Sequence, residues 1–481
     1  MLLEEAGPAG EHEISTWFGN YRSRPAVVVR PETVKDIVAV MRDVEKYPAP
    51  VRAVGSSHSV SGIIDAEGGT AVAMRSMERI LDIGPDTVTA EAGALYADVV
   101  DELRKRGLQF YVNPEIGNAT LGSMACGGTK DASMPGEYGQ VASFVSAMKL
   151  VAPSGEILKI TEDEPELLRA ARSSYGLFGI IYEVTFKVRP LRSMSIRHES
   201  YTLDEFLEKL EELRTQALDP HGESIMMYLD PFRDQVVLER RRYNEGKSPH
   251  RPSKLPWKIR NFVRKDAAPY FGFMAEKHIA NPKVRYFLID RFSWLLHLGL
   301  TSLVRGENTV APDQVMRYPK KATKRGYVFS IWAFDAQTFA PKLGDYFEFC
   351  RAYYEATGYR CDVHHVGYLV KNDPSSLLSY SYDWDALTFD PICTGNPGWE
   401  AFYAAYNDFC SERSGMPFFN QTPFLTREQV QKAFGERLQT FEEYRKRFDP
   451  TGRLVNGYFE ELLSTTSELR PEAADGISSL R

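Results

Sequence analysis

The stretch Val51 to Gly62, VRAVGSSHSVSG, constrains this chain more than any other. A short β-rich run, Val51 to Val54, feeds a Gly-Ser-Ser turn that carries His58 and closes on Gly62. Gly55 has no Cβ, so the backbone there can approach a ligand closely and adopt dihedrals that other residues avoid. Successive N–H groups of such a turn form a nest for phosphate oxygens. Such a stretch suits a strand end that meets a bound anion, and the weight of that reading comes from what surrounds it.

The flanking sequence supplies the scaffold. Pro25 to Pro31 reads as a strand bounded by prolines, and Pro31 opens a helix with Val34, Ile37, Val38, Met41 and Val44 on its buried face. Pro48 and Pro50 end that helix, so a β-α-β unit delivers the histidine loop at a strand end, where ligands bind in such layers. Thr70 to Met74 and Thr87 to Glu91 read as strands. A helix after Gly93, with Tyr96, Val99, Val100 and Leu103 inward, is capped by Gly107. The next block, Asn113 to Thr129 (NPEIGNATLGSMACGGT), is rich in glycine and small residues. Such a run is a poor core former, but it suits a loop-helix-loop pressed on a flat cofactor with its N–H groups near a pyrophosphate. Strands over 143–151, 156–160 and 179–188 and a helix over 166–172 carry this region to Pro190.

Composition narrows the function classes. A chain of 481 residues with 43% apolar and 12% aromatic content fits a globular enzyme of two or three domains. Its net charge of −7 comes from interspersed acids and bases, which points to a small-molecule partner and away from nucleic acid. Five cysteines, odd in number and without C-x-x-C spacing, read as free thiols in a reducing compartment. The acidic start MLLEEAGPAGEHE lacks the basic and apolar parts of a signal peptide, and the longest apolar stretch, Phe292 to Val304, is too short to span a bilayer. The expected location is cytoplasmic. Cys361, His364 and His365 lack the second ligand pair of a zinc site, so no metal is expected.

From Leu191 the character changes. A Pro- and Lys-rich stretch, Gly246 to Lys258, leads into a basic, aromatic, helical excursion over 257–305. It reads either as a packed insertion in a substrate domain or as a lid or peripheral membrane contact for a lipophilic substrate. Strands are expected over 327–332, 362–369 and 378–382, and helices over 339–356, 399–413 and 428–448. The motif Asp449 to Tyr458, DPTGRLVNGY, follows.

The histidine loop, the 113–129 segment, the order of signals over 17–190 and this last motif together resemble the vanillyl-alcohol oxidase / p-cresol methylhydroxylase family, specifically its aldonolactone and alditol oxidase branch. The resemblance implies an α+β fold. A two-subdomain FAD-binding domain would occupy 1–190 and an α+β substrate domain with an antiparallel sheet 191–425. A C-terminal helix and tail, 426–481, would return to the FAD domain. FAD would be held by Gly55, Ser56, Ser57, Ser59 and Gly62, by Gly117, Thr120, Gly122, Gly127, Gly128 and Thr129, and by Gly179, Ile181 and Asn456. The resemblance makes His58 a covalent link to the flavin 8α-methyl group, with a noncovalent contact and a core histidine as alternatives. Cys126 lies inside the glycine-rich turn rather than before it, which favours a single link and a small buried role for the thiol.

The branch carries Pro-His-Trp-Gly-Lys before its last helix. Here Gly415 to Thr422 reads GMPFFNQT, with Phe418 and Gln421 in the histidine and lysine places, and neither is a strong base. A Glu-x-Arg of the branch matches Asp362-Val-His364. Strand alternation would put Asp362 and His364 on one face, with Asp362 orienting His364 as general base. Tyr382, Asn420, Gln421 and Lys371 are further candidates for binding or activating a hydroxyl. The implied activity is an FAD-dependent oxidase. Hydride would pass from a hydroxyl-bearing carbon to flavin N5, and molecular oxygen would take the electrons and leave as hydrogen peroxide, with Ala92, Gly93 and Ala94 leaving room for it. Loss of the polyol-specific residues argues for a larger, more aromatic or lipid-linked alcohol. The rivals are an FAD enzyme acting on a C–N or C–C centre, and a flavin-binding protein that passes electrons to a partner or does not turn over.

Overall fold

The computed structural model describes residues 3–5, 12–244, 254–303, 308–310 and 327–463. Most of the Pro- and Lys-rich stretch, 245–253, and most of the first eleven residues lie outside the described residues.

Among the described residues, 1–190 hold three sheets: a small one of Leu3–Glu5, His12–Ser15 and Arg22–Ser23, and two larger ones. Of the two larger ones, the first is parallel and the second antiparallel. In the first, Val27–Val29, Thr70–Ala73 and Val51–Val54 run parallel, with Thr70–Ala73 in the middle. The expected β-α-β unit therefore exists with a later strand inserted between its two strands. Its helix, Val34–Arg42, buries Ile37, Val40 and Met41. Val44 lies beyond the last turn and is exposed, because the helix stops at Arg42, ahead of Pro48 and Pro50. The second sheet is antiparallel and runs Ile157–Thr161, Val145–Val151, Ile180–Pro190, Thr87–Glu91, Ile80–Ile83, with Leu108–Phe110 on the end of the long strand. Helix Tyr96–Lys105 packs with all four expected residues buried, and Gly107 takes the left-handed conformation just after it.

Among the described residues from 191 on, the chain is built on an eight-stranded antiparallel sheet and a two-stranded one, Val328–Phe329 with Ile392–Cys393. The order of the eight-stranded sheet is Asn308–Val310, Ser193–Thr202, Gln235–Asn244, Ser224–Asp230, His365–Val370, Ala386–Thr388, Trp332–Asp335, Met416–Pro417. The strand expected from Asp362 begins only at His365, and residues 378–382 form turns rather than a strand. The helix expected over 428–448 is two, Arg427–Phe434 and Glu436–Phe448, broken where Gly435 takes φ +50°. The excursion is helical as expected: Lys254–Phe262, Ala268–His278 and Pro282–Leu303, with a π-turn between the first two. Among the described residues no helix is long and apolar enough to cross a membrane.

The tail closes onto the histidine loop. Val51 N–H donates to the Arg453 carbonyl at 2.9 Å, and Asn456 Nδ2 donates to the carbonyls of Gly62, Ile63 and Asp65. Asp449 accepts from the N–H groups of Arg453 and Leu454, which shapes the turn that makes this reach. One apolar core runs continuously from the sheets of residues 1–190 into the eight-stranded sheet and the tail.

Candidate active site

Thr120, in the second glycine-rich segment, packs directly on Gly55. A Cβ on Gly55 would sit 2.4 Å from Thr120 Oγ1, so the two loops touch only because residue 55 is bare. Ser57, next to His58, holds φ +57°, a sparsely populated conformation for a residue with a side chain. His58 Nε2 lies 2.6 Å from Asn118 Oδ1, its ring lies against Trp17, and Gln421 Nε2 donates to the His58 carbonyl. Burial pushes the imidazole down to about 4 against the opposing pull of Asn118, so the ring is neutral at neutral pH. His58 Nδ1 is buried and has no hydrogen-bond partner among the described residues.

One cavity joins these loops to the eight-stranded sheet. Of the expected cofactor contacts it takes in Gly55, Ser56, Ser57, His58, Ser59, Thr120, Gly122, Gly127, Gly128, Thr129, Gly179 and Ile181. Gly62, Gly117 and Asn456 do not line it. Gly62 packs against Tyr458 and Tyr21, the Gly117 carbonyl accepts from Ala97, and Asn456 ties the loop from behind. Of the small residues expected to leave room for oxygen, only Ala92 lines the cavity. Gly93 is wedged where a Cβ would lie 1.8 Å from the Met74 carbonyl oxygen.

Asp362, His364, Asn420 and Gln421 also line the cavity, but the expected Asp362–His364 partnership does not form. Asp362 accepts from the backbone N–H and hydroxyl of Thr394, and among the described residues the carboxylate beside His364 is Asp230, 3.9 Å from Nδ1. Tyr382 and Lys371 lie outside. The Tyr382 hydroxyl accepts from Arg169 and its ring lies under Arg437, while Lys371 Nζ donates to the Gly136 carbonyl. Phe418 buries its ring against Gly128 and Tyr380 and contributes an apolar wall.

Sequence reasoning missed the charged pair at the centre. Lys130 follows directly on the Gly127-Gly128-Thr129 turn, and its Nζ lies 3.1 Å from Asp390 Oδ2 and 3.5 Å from the centre of the Tyr368 ring. Both partners line the cavity. Burial pushes Asp390 up to about 6 against the attraction of Lys130, and burial pushes Lys130 down against the pull of Asp390. Asp390 Oδ2 also accepts from Thr388, whereas Asp390 Oδ1 and, in the same cavity, Asn420 Oδ1 are buried without a hydrogen-bond partner among the described residues. Unsatisfied buried acceptors call for a water, an ion or a ligand to complete their bonding, and these two line the cavity. The one sequence signal was a lysine in an otherwise small-residue turn.

Three features of the lining fit FAD: the bare-backbone contact of the two loops, the unpartnered His58 Nδ1, and Arg52. The Arg52 guanidinium is buried and donates to the carbonyls of Ile63, Leu454 and Tyr175, with no carboxylate among its hydrogen bonds. Burial lowers it to about 10, a cost that an anion such as a pyrophosphate would relieve. Burial pushes the Cys126 thiol up to about 11 against the opposing influence of Arg52, so it stays protonated and inert as a nucleophile.

Comparison with known proteins agrees with this geometry. A family model described as an FAD binding domain matches residues 25–161, and one described as D-arabinono-1,4-lactone oxidase matches 383–462. L-gulonolactone oxidase of Bos taurus is 23% identical over 466 residues, which is 94% of this chain and 98% of that protein. Two further matches are shorter. A putative D-arabinono-1,4-lactone oxidase of Neurospora crassa is 30% identical over 187 residues, 38% of this chain and 33% of its own length. An L-gulono-1,4-lactone dehydrogenase of Mycobacterium tuberculosis is 28% identical over 200 residues, 41% of this chain and 46% of its own length. Among solved structures, cholesterol oxidase from B. sterolicum has the same fold, with TM-score 0.71 at 16% identity over 96% of this chain and 99% of that one.

Fold, cavity and matches define an FAD-dependent oxidoreductase. The chain resembles the vanillyl-alcohol oxidase / p-cresol methylhydroxylase family, in its aldonolactone oxidase branch, through the FAD binding domain over 25–161 and the D-arabinono-1,4-lactone oxidase match over 383–462.

Proposed function

We propose that this protein is an FAD-dependent oxidase that removes a hydride from a hydroxyl-bearing carbon of an apolar-bodied alcohol, with Asp390 accepting the hydroxyl proton. In this reading residues 1–190 and 426–481 hold the cofactor and 191–425 close over it. The observation that carries the proposal is the free Asp390 Oδ1, in one cavity with the FAD loops and next to a lysine that tunes its charge. When bound, FAD supplies the acceptor for the hydride and its two electrons. Lys130 holds Asp390 ionised near neutral pH, and Asp390 Oδ1 accepts the hydrogen bond of the substrate hydroxyl and then its proton, while Asn420 Oδ1 is left to accept from another donor of the bound ligands. Phe271, Ile289, Phe292 and Leu296 at the other end of the cavity exclude water and take an apolar substrate body. His364 with Asp230 then serves binding at the mouth rather than proton removal.

Molecular oxygen is the proposed electron acceptor, and a neutral His58 is the proposed attachment point for the flavin. Acid-precipitated native protein is expected to keep its yellow colour in the pellet, and His58→Ala to release it to the supernatant. Colour released from the native protein would withdraw the tether and leave dissociable FAD. Substrate class is tested by anaerobic mixing and by peroxide release in air. Apolar primary and secondary alcohols are expected to bleach the flavin faster than L-gulono-1,4-lactone or D-arabinono-1,4-lactone. Bleaching by amines alone would favour the C–N reading, and reduction followed by slow reoxidation in air would favour a protein acceptor.

A further inference from the structure

Ten of the thirteen exposed large apolar side chains of the described residues lie between Leu255 and Leu298, in the helical excursion. Such clustering is not what scattered surface hydrophobics give. Helix Pro282–Leu303 has two apolar sides. Ile289, Phe292 and Leu296, with Ser293 between them, face the cavity. On the other side Val284, Phe287, Leu288, Trp294, Leu295 and Leu298 are exposed, at spacings of three, four and seven that align them in a single stripe. Over residues 284–298 the stripe runs about 21 Å. The inward row contributes to the cavity wall, whereas the outward row stays exposed even where Arg233 reaches the Trp294 ring.

Charge identifies what covers it. Residues 254–303 carry nine lysines and arginines against three acids, in a chain whose net charge is −7. Lys258, Lys277, Lys283 and Arg291 are exposed, Arg291 within the stripe itself. Of the acids, Asp290 is already paired with Arg360. An exposed row of Phe, Leu and Trp flanked by cations is the pattern of a helix that lies in the plane of a lipid interface, with its apolar row among the acyl chains and its cations at the headgroups. The excursion is also firmly held. Trp257 is buried against Met194 and Ile196, and Arg260 is buried in an ion pair with Glu239 at 2.7 Å. We propose that the outer face of the Pro282–Leu303 helix docks the protein on an anionic bilayer surface. The cavity wall formed by its inner face then lies one helix thickness from the lipid. Docking itself requires no turnover, so its test stands apart from the proposed oxidase activity.

The test is flotation of the flavin-loaded protein with vesicles of equal parts phosphatidylcholine and phosphatidylglycerol, and with vesicles of phosphatidylcholine alone. Native protein is expected to float with the mixed vesicles, to bind the neutral ones at least about tenfold more weakly, and to be released by molar salt. The double variant Phe287→Glu, Leu295→Glu is expected to lower partition at least about a hundredfold while keeping its flavin spectrum and circular dichroism. Lys283→Glu, Arg291→Glu, which leaves the apolar row intact, is expected to abolish the preference for mixed vesicles. Failure of the native protein to float overturns the proposal. So does equal binding to both vesicle types, or a concentration-dependent dimer in light scattering that the Glu variants break in the absence of lipid, which would assign the stripe to a second copy.

Discussion

Asp390→Asn is expected to lower kcat by about a hundred- to ten-thousand-fold, the range for loss of a positioned general base, without loss of bound flavin. Among the described residues the carboxylate is tied to the glycine-rich loop through Lys130, so the variant removes proton acceptance and is expected to leave the cofactor contacts in place. The pH profile separates this from a structural effect. Burial pushes Asp390 up to about 6 against the attraction of Lys130, and the group accepts a proton only when ionised. In the native protein kcat/KM should therefore fall as pH drops through about 6, and the Asn variant should lack that limb. Lys130→Met removes the influence that holds the carboxyl down, so the limb should move to higher pH. His364→Asn should leave it where it is. A native limb that survives in Asp390→Asn would remove Asp390 from the mechanism and return the role to His364.

The parts of this site that were legible in sequence are those encoded locally. A glycine-serine turn after a short strand, and a run too small and too glycine-rich to form core, each declare a backbone that must approach something closely. The structure puts both on one cavity. The DPTGRLVN turn was legible for the same reason, since Asp449 and Asn456 act on backbone groups within reach of the motif's own turn and of the loop it closes. What failed depended on where elements start and stop. Asp362 and His364 would share a strand face only if the strand reached them. It begins at His365, so Val366 and Tyr368 face the cavity with His364, while Asp362 is taken by Thr394. The Lys130–Asp390 pair spans 260 positions, and no periodicity links a lysine in a loop to an aspartate beside a strand end. Their meeting follows from the register that sets Asp390 against Val366 on the sheet under the second glycine loop. The exposed stripe was visible only as an aromatic, basic helix. Which of its two apolar sides is spare is decided by the sheet and cavity it packs on.

Glu239→Gln is expected to destabilise the protein by about 3–5 kcal/mol, the range for breaking a buried ion pair by removing one partner. Glu239 is wholly buried between Arg241 at 2.8 Å and Arg260 at 2.7 Å, with His198 Nε2 at 3.0 Å, and Arg241 also reaches Asp131. Burial alone would push the carboxyl up, but the guanidiniums of Arg260 and Arg241 and the His198 bond together hold it well below the usual carboxylate range. A folded-state value below the unfolded one gives stability that is fully present above the unfolded pKa of about 4.3 and is lost as pH falls through the folded value. The native urea midpoint should therefore hold from neutral pH down to about 4.3 and fall below it, whereas the Gln variant should start lower and lack this acid-dependent part. The effect is local before it is global. Arg260 is the charged anchor of the Lys254–Phe262 helix, so the variant should expose 254–303 to protease while the flavin domain stays resistant. If the domain that holds FAD were cleaved first, Glu239 would be a general core contact rather than the clamp that fixes the excursion to the sheet.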